Sequence, residues 1–318
     1  MNNYKVIVTA RSFGKTDDKA VRLLEEAGCE VIRLAAGERS LEEQLAEAVV
    51  DADAVIAGLE NWDAELLGKA QKLKVISRYG VGYDKVDVKA AAEKGIMVTI
   101  TPGANGDSVA DLAMVLMMDG ARSVTAMDAS IRAKNQSRPQ GVEMWQKTLG
   151  VIGTGRIGQG VAKRCRGFEM KVLGYDIYES PAFKADCGGT YVDLETLLRE
   201  ADFITIHSPL TPETENMIST AQFDMMKKDA VIVNTARGGI IDEEALYEAL
   251  STGKIRAAGL DATVKEPPYD SPLLTLPNCI LTPHAGAATK EASSKMSLMA
   301  AENAVEVLTT GTCQYAVK

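Results

Sequence analysis

Short apolar, β-branched runs alternate with stretches of helical periodicity along the chain. Lys5 to Thr9 reads as a strand, Asp17 to Ala27 as a helix, Cys29 to Leu34 as a strand, Leu41 to Val50 as a helix and Ala54 to Ala57 as a strand. The pattern continues through a strand at Leu73 to Ser77, a helix over Asp84 to Lys94 and a strand at Ile96 to Val98. Buried apolar runs separated by amphipathic helices predict a parallel sheet with helices on its faces. This first stretch therefore predicts one flavodoxin-like α/β unit.

At Thr101–Pro102–Gly103 the alternation stops, and Ser108 to about Ala133 reads as one long apolar helix with no strand after it. A polar turn follows over Asn135 to Gly141. A second alternation then starts, with strands at Thr148 to Ile152, Lys171 to Tyr175, Phe203 to His207, Ala230 to Asn234, Ala257 to Leu260 and Cys279 to Leu281. The last periodic segment, Thr289 to Leu308, carries Met296, Met299, Ala300, Ala304 and Leu308 on one side. A terminal helix that starts no new strand is expected to cross back onto the first domain and make it discontinuous.

Composition narrows the class. The 318 residues suit two domains, and 46% hydrophobic with 25% charged content is that of an ordinary globular protein. A net charge of -9 and a pI near 5.0 argue against duplex nucleic acid as a partner. No apolar stretch is long enough to span a bilayer and the amino terminus has no basic leader, so no membrane partner and a cytoplasmic address are expected. The cysteines Cys29, Cys165, Cys187, Cys279 and Cys313 form no C-x-x-C pair, which predicts neither a disulfide framework nor a metal site. His207 and His284 are the only histidines.

The strongest motif is TLGVIGTGRIG, Thr148 to Gly158, an apolar strand running into Gly153-x-Gly155-x-x-Gly158 and then a helix. Gly153 makes the tight turn, Gly155 lets the backbone approach a pyrophosphate, and Gly158 lets the helix pack close to the strand. The next strand ends at Asp176, placed to accept the adenosine ribose hydroxyls. No Arg or Lys lies within the next seven residues to neutralise a 2′-phosphate, which favours NAD over NADP. The expected fold is therefore α/β with two doubly wound parallel-sheet domains. A Rossmann NAD-binding domain, 103–284, is inserted in a flavodoxin-like substrate domain, 1–102 plus 285–318.

Three later segments end strands with polar groups, where a doubly wound sheet places its ligands. AVIVNTARGG ends in Arg237, whose guanidinium can hold a carboxylate through two parallel hydrogen bonds. AAGLDATVKEPP carries Asp261 and Glu266, and CILTPHAGAAT carries His284. Hydride transfer to a ketone needs a proton donor at the developing alkoxide, and an imidazole serves both directions. Glu266 is the natural carboxylate to fix its tautomer. Plain structural alternatives stay open: Arg237 in a surface ion pair, His284 as a satisfied structural histidine. His207, ending FITIHSPL, is read as lining the cofactor pocket or capping its strand.

Together RYGVGYDKVD, TPGANGDSVADLAM, TLGVIGTGRIG, HSPLTPET, NTARGGIIDEEAL, LDATVKEPP and TPHAGAATKEA resemble the D-isomer-specific 2-hydroxyacid dehydrogenase family across essentially the whole chain. The resemblance implies Arg237, Glu266 and His284 as the catalytic trio and Asp261 as the nicotinamide-side aspartate. It also implies cofactor contacts at Arg156, Ile157, Ser208, Thr235 and Ala236. The loop Arg78 to Gly82 would present amides, those of Val81 and Gly82, to the substrate carboxylate. Family precedent further implies a homodimer, with the helix from Ser108 as a candidate interface. Two departures stand out: Asp111 where the family usually has glutamate, and Thr263 where it usually has a bulky aromatic.

Arg78 and GAATKEA are most similar to the branch of the family that oxidises D-3-phosphoglycerate. Its phosphate needs cations, for which Arg78, and with it Arg11 and Lys15, are candidates; for the latter two a solvated loop is an equal reading. The chain ends at Lys318, so feedback through an added regulatory domain is not expected. Hydroxypyruvate or glyoxylate are the alternative substrates within the same chemistry. A catalytically silent NAD-sensing protein is the rival from another class.

Overall fold

The computed structural model describes residues 3 to 317. It divides into two compact units, one running to Asn105 and resuming at Ala288, the other spanning Gly106–Ala287. Both junctions fall three residues after the expected ones. Gly106 is the first residue of a helix, and the segment after His284 is tied by hydrogen bonds to Asp261, so both belong with the second unit.

In the first unit, β1 (Tyr4–Val8), β2 (Cys29–Arg33), β3 (Ala54–Ala57), β4 (Val75–Arg78) and β5 (Met97–Thr99) form a parallel sheet in the order β2-β1-β3-β4-β5. The chain reverses its direction of winding between β1 and β3, where a doubly wound sheet opens its crevice at the strand carboxyl ends. Helix starts are set by side chains: Ser40 and Glu43 form a capping box, and Asp63 and Asp87 accept the Leu66 and Ala90 amides. The Asp87 cap explains why the helix expected from Asp84 begins at Val88. The helix Lys290–Thr310 lays Ala300, Ala304, Val307 and Leu308 into the same core as Val6, Val8 and Ile56, and Ser77 Oγ donates to Ala300 O at 2.9 Å.

The second unit carries β6 (Thr148–Ile152), β7 (Lys171–Tyr175), β8 (Thr190–Tyr191), β9 (Phe203–Ile206), β10 (Val231–Asn234), β11 (Ala257–Leu260) and β12 (Cys279–Leu281). They pair in parallel as β12-β11-β10-β9-β6-β7-β8, which puts the reversal between β6 and β9. The central strands β9, β10 and β11 are buried throughout, as expected of a sheet covered on both faces. Among the described residues, no helix is long and apolar enough to cross a membrane.

Two expectations need correction. Residues Ser108 to Ala133 are not one helix: Gly106–Arg122 ends at Ser123, which sits at φ +52, and Val124–Arg132 begins anew. The buried carboxylate of Asp119 causes the break, accepting from the Thr125 amide at 2.9 Å and from its hydroxyl. That satisfies an amide in the first turn of a second helix. The edge strand β8 was not anticipated, because two residues are too short to show a period.

Candidate active site

Every candidate cofactor residue and the catalytic trio lie in the second unit, in the segments that follow β6, β7, β9, β10, β11 and the edge strand β12. Gly153 ends β6 at φ +88, and a β-carbon there would stand 2.6 Å from the carbonyl carbon of His207 and from Ser208 N. Both its backbone angle and its neighbour thus require glycine. A β-carbon on Gly158 would strike Gly153 O, which sets the helix Arg156–Cys165 hard against the turn. At Gly155, by contrast, nothing lies within 4 Å of the β-carbon position. The amino end of the helix is therefore open just where a diphosphate would meet its amides and dipole, so the residues present fit a dinucleotide.

Asp176 follows β7, and Thr154 fastens it to the turn. Its Oδ2 accepts from Thr154 N at 2.6 Å and from Thr154 Oγ1 at 3.1 Å, while Oδ1 accepts from Tyr178 N at 3.1 Å. The carboxylate retains acceptor capacity for ribose hydroxyls. His207, at the end of β9, shares hydrogen bonds with Thr205 Oγ1 (2.8 Å, Nε2) and Thr235 Oγ1 (3.4 Å, Nδ1). Burial pushes its imidazole down to about 3, so it stays neutral at physiological pH and is not the proton carrier. Ser208 continues from it, and Arg156 and Ile157 open the helix at exposed and half-buried positions.

After β10, the buried Asn234 folds the next residues into a fixed turn. Its Oδ1 accepts from Ala236 N at 3.0 Å, and its Nδ2 donates to Arg237 O at 2.7 Å. Arg237 Nη1 donates to Ala236 O at 2.8 Å. Gly238 then packs on the Thr263–Val264 backbone so closely that a β-carbon would overlap the Thr263 carbonyl and Val264 N. The loop bearing Arg237 and the loop bearing Glu266 are thereby held together. Thr263, one of the two departures, contributes through that backbone contact and through Oγ1 to Lys265 O at 2.9 Å. The other, Asp111, forms a surface ion pair with Arg164 Nε at 2.6 Å.

His284 faces Glu266, with Nδ1 3.0 and 3.1 Å from the two carboxylate oxygens. Nδ1–H is thus the donor, and Nε2 is the nitrogen that can take or give a substrate proton. The residue stands at φ +53, an uncommon conformation for a side chain with a β-carbon that costs about 1–3 kcal/mol. Asp261 offsets this strain. Its Oδ1 accepts from Thr282 Oγ1 at 2.5 Å and Ala285 N at 2.7 Å, its Oδ2 from Gly286 N at 2.7 Å, and its own N donates to Asn234 O at 2.9 Å. Asp261 therefore anchors the turns that present Arg237 and His284, a role its sequence context did not reveal.

In the first unit, Arg78 is buried at the end of β4 and donates from Nε to Gly82 O at 3.0 Å and from Nη1 to Ala57 O at 3.2 Å. It closes the loop that holds Val81 and Gly82. Arg11 and Lys15 lie exposed after β1.

Residues 114–286 match the family described as D-isomer specific 2-hydroxyacid dehydrogenase, NAD binding domain. The chain belongs to this family. A D-3-phosphoglycerate dehydrogenase from Methanocaldococcus jannaschii is 48% identical over 295 residues, covering 92% of this chain and 56% of that protein. A glyoxylate reductase from Korarchaeum cryptofilum is 44% identical over 267 residues, covering 81% of this chain and 80% of that one. Of solved structures, the TT0316 protein from Thermus thermophilus superposes with a TM-score of 0.88 at 38% identity, over 99% of this chain and 100% of its own. The chain thus spans little more than half the length of the phosphoglycerate dehydrogenase. Its second unit is the family's NAD-binding domain. Within it, Asn234, Thr154 and Thr282 are positioning residues that sequence reasoning passed over; the common signal is a polar residue where an apolar strand ends.

Proposed function

We propose that the chain transfers a hydride between NAD and carbon 2 of a small D-2-hydroxy acid. The observation that carries this reading is the His284–Glu266 pair, which commits Nδ1 to a carboxylate and leaves Nε2 to face a reacting hydroxyl. In oxidation the C–H bond at carbon 2 breaks with its electron pair, and the hydroxyl proton passes to Nε2. NAD, when bound, supplies the acceptor for that pair. Gly153, Gly155 and Gly158 with Arg156, Ile157, Asp176, Ser208, Thr235 and Ala236 are assigned to holding it. Arg237 takes the substrate carboxylate through its fork and polarises the adjacent carbonyl in reduction. The Arg78–Gly82 loop is assigned to the substrate as well, since Gly80 at φ +146 leaves open backbone beside the Val81 and Gly82 amides.

Arg237→Ala tests the carboxylate assignment. Charge-assisted hydrogen bonds are worth about 1.5–3 kcal/mol each, so kcat/KM is expected to fall by about 10²-fold or more. Arg237→Lys, which keeps the charge and loses the fork, recovers only part of it. A loss of less than about tenfold in the alanine variant removes Arg237 from the substrate.

The relatives name two substrate types, 3-phosphoglycerate and glyoxylate. A second reading, for an unphosphorylated acid, is favoured by the engagement of Arg78 with the Gly82 and Ala57 carbonyls. We further propose a homodimer built through the helices Gly106–Arg122 and Val124–Arg132. Val115, Met118, Val124 and Ile131 are exposed there, and the second helix has no buried residue. Sedimentation at micromolar concentration is expected to give twice the 34.0 kDa chain mass; a single-chain mass contradicts it.

A further inference from the structure

We propose that Glu60 is a specificity-determining residue that selects an uncharged distal group on the substrate, a hydroxyl, over a phosphate. This rests on the reading above that the chain works on a 2-hydroxy acid and that the first unit receives it. Glu60 follows β3, at the crevice where the winding of the first sheet reverses, and is only 8% exposed. Its Oε1 accepts from Gly58 N at 3.1 Å and Trp62 Nε1 at 3.1 Å and lies 2.5 Å from Thr9 Oγ1. Its Oε2 is buried without a hydrogen-bond partner among the described residues. An orphaned buried carboxylate oxygen is costly, and its presence asks for a role.

That role follows from the peptide group joining Ala57 to Gly58. Arg78 Nη1 donates to its carbonyl oxygen, at 3.2 Å, and Glu60 Oε1 accepts from its N–H, at 3.1 Å. In a trans peptide those two atoms point in opposite directions. One peptide unit therefore carries a guanidinium on one edge and a carboxylate on the other. The pair cancels the charge that makes Arg78 look like part of a phosphate pocket. A phosphate dianion needs a net cationic cradle, whereas at the ends of β3 and β4 the buried Arg78 is opposed by the buried Glu60. A hydroxyl carries no such requirement.

The test compares D-glycerate with 3-phosphoglycerate as substrates for NAD reduction, in wild type and in Glu60→Gln. The amide is nearly isosteric, keeps an oxygen for the Oε1 donors and removes the charge. Wild type is expected to favour D-glycerate in kcat/KM by at least tenfold, and Glu60→Gln to move the ratio at least tenfold toward 3-phosphoglycerate. A merely structural Glu60 would lower both activities and leave their ratio alone, which overturns the proposal. So does a wild type that prefers 3-phosphoglycerate, and this arm decides the matter even if the variant does not fold. Oxidation of neither acid by wild type fails at an earlier point, because it overturns the reading of the reaction itself.

Discussion

Replacing His284 with alanine is expected to lower kcat by about 10²–10⁴-fold, the range for loss of a positioned general acid–base. Only two histidines are present, and His207 is held neutral by burial, so no other imidazole can take over. The site around His284 is also costly to build. A non-glycine residue at φ +53 is secured by Asp261 to the amides of Ala285 and Gly286, and its Nδ1 is matched to both oxygens of Glu266. Such over-determination makes sense when Nε2 must stay fixed relative to a reacting oxygen. Steady-state kinetics with and without the substitution, alongside an NAD titration, provide the check. Turnover within about tenfold of wild type, roughly 1.4 kcal/mol of barrier, removes His284 from proton transfer.

Gly238→Ala is expected to damage the enzyme almost as severely without touching a reacting group. A β-carbon there overlaps the backbone between Thr263 and Val264, and backbone cannot yield as a side-chain tip can. The two loops must part, carrying Arg237 on one side and Glu266 on the other. A misplacement of about 1 Å costs on the order of 10²-fold in rate, and overpacking of this kind costs about 1–3 kcal/mol in stability. Both are measurable, the first in kcat/KM and the second by urea unfolding. Wild-type values in both assays would show that the loops are not held by this contact.

Periodicity made the two sheets legible because parallel strands buried on both faces are written as unbroken apolar runs. VIVN at β10 and FITI at β9 are clear examples. The glycine turn was equally legible, since each glycine answers to a distinct backbone demand. The break at Ser123 was hidden because the residues on either side remain helical in pattern, and only the side chain of Asp119, folding back on Thr125, redirects the chain. The hydrogen bonds of Arg78 were hidden for a related reason. Its type and place suggested an anion pocket, but sequence carries no sign that the guanidinium turns onto Gly82 and Ala57, or that Glu60 sits on the far edge of the same peptide. Asp261 shows the same limit: the family resemblance implied a cofactor contact, and its three acceptor bonds to Thr282, Ala285 and Gly286 appear only once the chain is folded. Long-range hydrogen bonds are what local pattern cannot supply.

Hydride transfer decides the function, and absorbance of NADH reads it directly. Purified protein should be given NAD with D- and L-isomers of small 2-hydroxy acids, and NADH with glyoxylate and hydroxypyruvate. The predicted result is turnover of D-isomers and of the keto acids, with the L-isomers inert. Binding of NAD without turnover of any acid in the panel would contradict it and mark the chain as a cofactor-sensing protein.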